Sequence, residues 1–150
     1  MPALRRFAHR PFLEAARRTA AGVATALGPD GYLPGILTEN WTAAADWVCL
    51  TGTAQLAHCW LMLFEDTGEP SFADAAHRAN AFVRRTVRVE GQPEVRGGVK
   101  GSLPYSGDYC RYQYPNWAAK FLADSLMLEL DSQQRRQREQ APRAATALQS

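Results

Sequence analysis

With 150 residues, 46% of them hydrophobic, the chain is long enough to bury the core of one globular domain. Its formal charge of +2 comes from arginines near the two ends: Arg5, Arg6, Arg10, Arg17 and Arg18 early, and Arg135, Arg136, Arg138 and Arg143 late. The aromatic middle carries both signs, which excludes the one-faced basic footprint of a specific nucleic-acid binder and leaves only a weak, salt-sensitive contact at the termini. Cys49, Cys59 and Cys110 are odd in number and lack CxxC spacing, against a zinc ribbon, a thioredoxin-type motif or a disulfide framework. No apolar run approaches the ~20 residues of a membrane span, and Arg10, Glu14, Arg17 and Arg18 interrupt any secretory h-region, so a cytoplasmic address is expected.

Pro11 opens a helical pattern in which Leu13, Ala16, Ala20, Val23 and Leu27 recur at spacings of three and four, and Gly28 ends it. Pro29 to Asp46 has no clean period and contains PDG, LPG and ENW, the chemistry of a long ordered loop. Trp47 to Asp66 is apolar over most of its circumference, the mark of an inner helix, with one polar stripe of Thr51, Gln55, His58, Met62 and Glu65. Thr67-Gly68-Glu69-Pro70 stops it. Ser71 and Asp74 form a capping-box pattern for a third helix, Phe72 to about Val87, which buries Phe72, Ala75, Ala76, Ala79, Phe82 and Val83.

A second long loop follows, from Glu90 to Pro115, and Asn116 is placed to cap a fourth helix that buries Trp117, Phe121, Leu122, Leu126 and Leu130. From Gln133 the sequence turns to QQRRQREQ, without an apolar face. The expectation is a helical domain over 1–131 and a polar tail over 132–150 that frays into disorder. Helices joined by a long, a short and a long connection place both long loops at one end when neighbours run antiparallel. The fold expected is therefore all-α: two antiparallel αα-hairpins with two long loops at one end. The loops share a plan, DGYLPG leading through NW to one inner helix and GGVKGSLP leading through NW to the other, a weak internal repeat near 70 residues.

The order helix, DGYLPG, WVCLTGTAQ inner helix, TG turn, helix, GGVKGS, YPNWAAKF inner helix resembles the α/α-toroid proteins, across roughly Ala15 to Glu129. That group includes terpenoid cyclases, protein prenyltransferases and six-hairpin carbohydrate enzymes. The resemblance implies a partial toroid with about half the usual hairpins, whose loops at one end line a funnel or groove. Of the family's acid motifs, DxDD is missing. Of the prenyltransferase zinc ligands, Asp108 and Cys110 match, but no histidine follows them on the next helix, and His58 from the neighbouring inner helix would have to stand in. No metal and no other cofactor is expected.

The loop-face carboxylates are Asp30, Glu39, Asp46 and Asp108. Paired across roughly 5 to 10 Å, two carboxylates can serve as acid and base on a glycosidic bond, which makes Asp108, Asp46 and Glu39 catalytic candidates. The plainer roles are an Asp-Gly turn for Asp30 and a helix N-terminus for Asp46. Tyr32, Trp41, Trp47, Tyr105, Tyr109, Tyr112, Tyr114 and Trp117 offer rings that stack on sugar faces, or on the cationic intermediates of an isoprenoid; for Trp47 and Trp117, at helix starts, burial is the plainer reading. Gln55, His58, Asn116 and Lys120 complete a polar stripe on the inner helices, and Lys100, set among glycines, suits an acidic ligand group such as a uronate or phosphate; GGVKGS is not a P-loop. For Lys120 and Asp124 the simpler reading is a surface ion pair.

Three functions follow as expectations: a glycan-acting or glycan-binding protein, a non-catalytic partial toroid completed by a partner or second copy, and an isoprenoid-handling relative of the prenyltransferases. The second requires apolar surface on the flanks of the first and fourth helices.

Overall fold

The computed structural model describes residues 10–147, with side chains from 11 to 139. Arg5 and Arg6, the side chains of Arg10 and Arg143, and the last three residues of the tail lie outside the described residues. The fold is all-α, as the sequence predicts. Helix α1 spans Arg10–Thr25, α2 Leu50–Thr67, α3 Pro70–Thr86 and α4 Asn116–Ala147, with two short strands, β1 Val48–Cys49 and β2 Ser102–Leu103. Among the described residues no helix is long and apolar enough to cross a membrane.

Helix α2 is the inner element because its alanines and large apolar residues face three neighbours at once. Leu50, Ala54, Ala57, Trp60 and Leu61 are all fully buried. Its lower half packs with Ala20 and Val23 of α1, Leu27 just beyond it, and Phe72, Ala75, Ala76 and Ala79 of α3. Its upper half packs with Phe82 and Val83 of α3 and Ala118 and Leu122 of α4. The Trp60 indole N–H donates to the Ala20 carbonyl at 2.9 Å, so the largest core side chain also satisfies its one polar atom. The α2 helix ends where Gly68 adopts φ 74 and its N–H returns to the Phe64 carbonyl.

Neighbouring helices alternate in direction, so the loops 26–47 and 87–115 emerge at the same end. The antiparallel pairing of β1 with β2, Val48 opposite Leu103 and Cys49 opposite Ser102, joins the two loops directly. This agrees with the topology that the loop lengths predict.

Three local expectations are corrected. Trp47 is not helical; it precedes β1, and α2 starts at Leu50 with Cys49 as its cap, the thiol accepting from the Gly52 N–H at 3.3 Å. No capping box forms at α3. Glu69 takes the N-cap position without a side-chain bond, because Pro70 at the first helical position already has the required φ and no N–H to satisfy. Helix α4 meets the core on part of its expected face: Leu122 is buried and Phe121 and Leu126 pack against the core, but Trp117 and Leu130 are 46% and 54% exposed, and Ala118, Ser125 and Ser132 are buried instead.

Small residues at 118, 125 and 132 let α4 approach closely, and polar bonds replace apolar bulk at the seam. The Ser125 hydroxyl donates to Asn80 Oδ1 at 2.8 Å, and Asn80 Nδ2 donates to Glu129 Oε2 at 2.6 Å. Asn80 and Ser125 have almost no solvent access. Asn80→Ala would leave the Ser125 hydroxyl and the Glu129 carboxylate short of a partner, at an expected cost of about 1 to 3 kcal/mol. Urea unfolding of the variant measures it, and a cost within error of zero would contradict this account of the seam.

The polar stretch 132–150, expected to leave the fold, is helical as far as Ala147. Its first turns are held against α2, by an Arg135 ion pair with Glu65 and by the Arg136 guanidinium 4.8 Å from the Phe64 ring centre. Apolar periodicity does not register such anchors, since they use charged side chains.

Candidate functional site

The loop 97–115 is built around the short strand β2. The Gly101 N–H donates to the Gln113 carbonyl at 3.0 Å and the Tyr112 N–H to the Tyr105 carbonyl at 3.0 Å, which closes residues 101–113 into a compact turn. Ser102, fully buried, donates its hydroxyl to the Tyr109 carbonyl at 2.6 Å and ties that turn to the strand pair. The Leu103–Pro104 peptide bond is cis.

Within the turn, Cys110 and Tyr112 have φ of 46° and 58°, in the left-handed region that a bulky residue enters at a cost of about 1 to 3 kcal/mol. Strain of that kind persists where surrounding bonds over-determine the backbone. Here it presents Tyr112 outward, 62% exposed. Tyr105 lies beneath, edge-on to Tyr112 with centroids 5.5 Å apart and tilted against Tyr114 at 5.4 Å. The Lys100 ammonium stands 5.8 Å from the Tyr105 ring centre. On the first turn of α4, the Trp117 indole N–H donates to the Tyr109 hydroxyl at 3.0 Å, which orients a half-exposed indole beside the tyrosine turn. The result is a group of partly exposed rings, with Lys100 beside Tyr105 and the Asp108-paired Arg111 on the same turn.

The structure thus brings together Lys100, Tyr105, Tyr109, Tyr112, Tyr114 and Trp117 of the rings and charges named from the sequence. For Trp117, apolarity at a helix start favours the core. Its spacing to Lys120 and Asp124, three and seven residues on, is the signal that places it on a polar face. Lys120 pairs with Asp124 at 2.5 Å and lies over the Phe121 ring at 4.6 Å, the surface ion pair of the simpler reading. Asn116, also exposed, is the first residue of α4.

The remaining candidates have other surroundings. The Tyr32 ring meets Phe82 of α3 edge-on at 6.0 Å; Asp30 Oδ1 accepts from the Tyr32 N–H at 3.0 Å within the loop, and the Asp30 carbonyl accepts from Arg85 of α3 at 2.7 Å. Trp41, at φ 61°, packs its ring over α1 at Gly22 and joins the lower core. Asp108 is exposed and ion-paired with Arg111. Glu39, Asp46 and Gln55 are exposed, whereas His58 is half-buried with Nδ1 enclosed and without a hydrogen-bond partner. Among the described residues no group of three His, Cys, Asp or Glu is placed to hold a metal ion. A shallow depression on α4, lined by Asp131, Gln134, Arg135 and Arg138, begins about 22 Å along the helix from Asn116 at 1.5 Å per residue.

Compared with known protein families, with curated proteins and with solved structures, the chain matches none.

Burial pushes the Cys49 and Cys59 thiols above their ordinary value of 9.0; at Cys49 the N–H groups of Gly52 and Thr51 oppose this only in part, and the nearby Cys110 thiol adds to it. A thiol whose pKa is raised by folding keeps its proton longer in the folded state. The stability it confers is complete below the ordinary thiol range and fades as pH climbs through it. The urea midpoint should therefore fall more steeply between about pH 8 and pH 10 in the wild type than in the Cys49→Ala/Cys59→Ala variant. Equal slopes would show that burial does not hold these protons.

Proposed function

We propose that the chain is a partial α/α toroid whose loop face binds carbohydrate, with a preference for sugars that carry a carboxylate. The observation that supports this best is the pair of exposed rings, Tyr112 and Trp117, held in fixed orientations by backbone bonds and by the Trp117–Tyr109 hydrogen bond. Flat apolar rings fixed before binding stack on pyranose faces without an ordering cost, and phenol hydroxyls serve the sugar edges. Lys100 supplies a positive charge at the rim of the tyrosine group.

Binding is favoured over glycosidic cleavage because two of the four candidate carboxylates already have structural duties. Asp30 holds a turn and Asp108 is paired with Arg111. A glycan array that contains neutral and uronate-bearing oligosaccharides tests the reading. Wild type is expected to bind uronate-bearing members, Tyr112→Ala and Trp117→Ala each to lose at least tenfold, and Lys100→Gln to lose the acidic preference while retaining weak binding. Wild-type binding that both ring variants retain in full would refute it.

A second reading has its own support. Met127 and Leu130 on α4 and Met62 on α2 are 66%, 54% and 40% exposed. Apolar side chains on helix flanks suit a toroid completed by a partner or by a second copy. Light scattering over a range of concentrations decides about the second copy: a dimer supports it, and a monomer at high concentration, unchanged by Met127→Glu, excludes it.

A further inference from the structure

We propose that the loop face takes an acidic oligosaccharide rather than a single acidic sugar, because Arg88 and Arg96 form a second anion-holding position beside the tyrosine group. This rests on the carbohydrate reading and names the class of sugar. Residues 84–100 carry five cations, Arg84, Arg85, Arg88, Arg96 and Lys100, against two carboxylates, Glu90 and Glu94. Arg85 is engaged with the Asp30 carbonyl of the first loop and with the Phe82 ring. Arg88 and Arg96 are exposed, and among the described residues neither forms an ion pair with Glu90, Glu94 or any other carboxylate.

The backbone brings these two arginines together. The Gly97 N–H donates to the Arg88 carbonyl at 2.6 Å and closes the loop 88–97 at its base. With standard bond lengths on either side of it, that hydrogen bond holds the Arg88 and Arg96 Cα atoms within about 7.5 Å of each other. Side chains of arginine length can reach one oxyanion from two such positions, and a guanidinium suits a carboxylate because two parallel N–H bonds match its two oxygens.

The same segment leads directly to the rings. Gly98 lies against Tyr114: a Cβ there would be 2.8 Å from Tyr114 Cδ1. Tyr114 meets Tyr105 at 5.4 Å, and the Lys100 ammonium stands 5.8 Å from the Tyr105 ring centre. Two cationic positions therefore belong to the Tyr105–Tyr114 pair, Lys100 beside Tyr105 and the arginines beginning two residues before the glycine against Tyr114. A uronate carries one carboxylate per ring, so to engage both positions takes at least two linked sugars. Each charge contact is exposed, hence weak and screened by salt, and the linked chain gains by making both at once.

Isothermal titration calorimetry of the full chain with galacturonate, trigalacturonate and triglutamate, at about 50 mM and about 300 mM sodium chloride, tests this. Trigalacturonate is expected to bind about tenfold tighter than galacturonate at low salt. The advantage should shrink at high salt, and in Arg88→Gln/Arg96→Gln the two sugars should bind alike, with the urea midpoint of the wild type. Trigalacturonate that binds the wild type and a folded double variant equally would overturn this inference and leave the carbohydrate reading standing. Triglutamate bound as tightly as trigalacturonate would overturn both, since the rings would then add nothing, as would a lack of binding by either sugar.

Discussion

Trp60→Ala is expected to cost about 3 to 5 kcal/mol, the range for truncating a fully buried aromatic residue. Trp60 has no solvent access and sits where α1, α2 and α3 meet. Truncation removes its packing and also deprives the Ala20 carbonyl of the indole N–H. Because that bond ties α1 to α2, the loss should fall first on α1, whose other links to the core are few: Ala20 and Val23 are its buried residues among those described. Hydrogen exchange should show α1 amides opening before those of α2 and α3, alongside the fall in urea midpoint. A variant within 1 kcal/mol of wild type would mean that the core does not depend on this ring.

Gly31→Ala is expected to cost about 2 kcal/mol or more, from two sources that add. Gly31 has φ 88°, a conformation that an alanine adopts only with strain of about 1 to 3 kcal/mol. A Cβ there would also run into the Arg78 backbone carbonyl and lie 2.8 Å from Phe82 Cβ, so α3 or the loop has to move. The same contact is secured by the Arg78 guanidinium on the Gly28 carbonyl at 2.8 Å and by the Arg85 guanidinium on the Asp30 carbonyl at 2.7 Å. Denaturant unfolding gives the cost. Tyr32 and Asp30 resonances should move in the variant while those of α4 stay in place; a fully stable Gly31→Ala would show that the DGYLPG loop does not dock on α3.

Loop lengths and turn chemistry made the topology legible. DGYLPG and GGVKGSLP lie at one end because a long, a short and a long connection require it, and the β1–β2 pairing shows the two loops meeting. The core faces of α2 and α3 were legible for the usual reason that apolar side chains recur at helical spacing, and all six residues expected inside α3 are buried. Helix α4 was legible in part: Phe121, Leu122 and Leu126 meet the core as expected, but Ala118, Ser125 and Ser132 are also buried and Trp117 and Leu130 lie outside. A seam built from small residues and the Asn80–Ser125–Glu129 hydrogen bonds has no apolar signature, so hydropathy missed that side of the helix.

The site shows the same division. Residue types alone indicated that the segment from Gly97 onward is rich in rings and charge. They could not reveal that backbone bonds force Cys110 and Tyr112 into left-handed conformations, or that Trp117 is tethered to Tyr109. The carboxylates failed to separate themselves because a turn-holding Asp30 and an ion-paired Asp108 look the same in sequence as a catalytic pair.

The two loops are proposed to form one face that receives a sugar on the tyrosine and tryptophan rings. The most direct test is amide and side-chain chemical-shift mapping by NMR during titration with a uronate-bearing oligosaccharide. The shifts expected are those of Lys100, Tyr105, Tyr109, Tyr112 and the Trp117 indole N–H, with Val48 and Cys49 following through the strand pair, and with α1 and the far end of α4 unchanged. Shifts confined to Asp131, Arg135 and Arg138, or none at millimolar sugar, would contradict it.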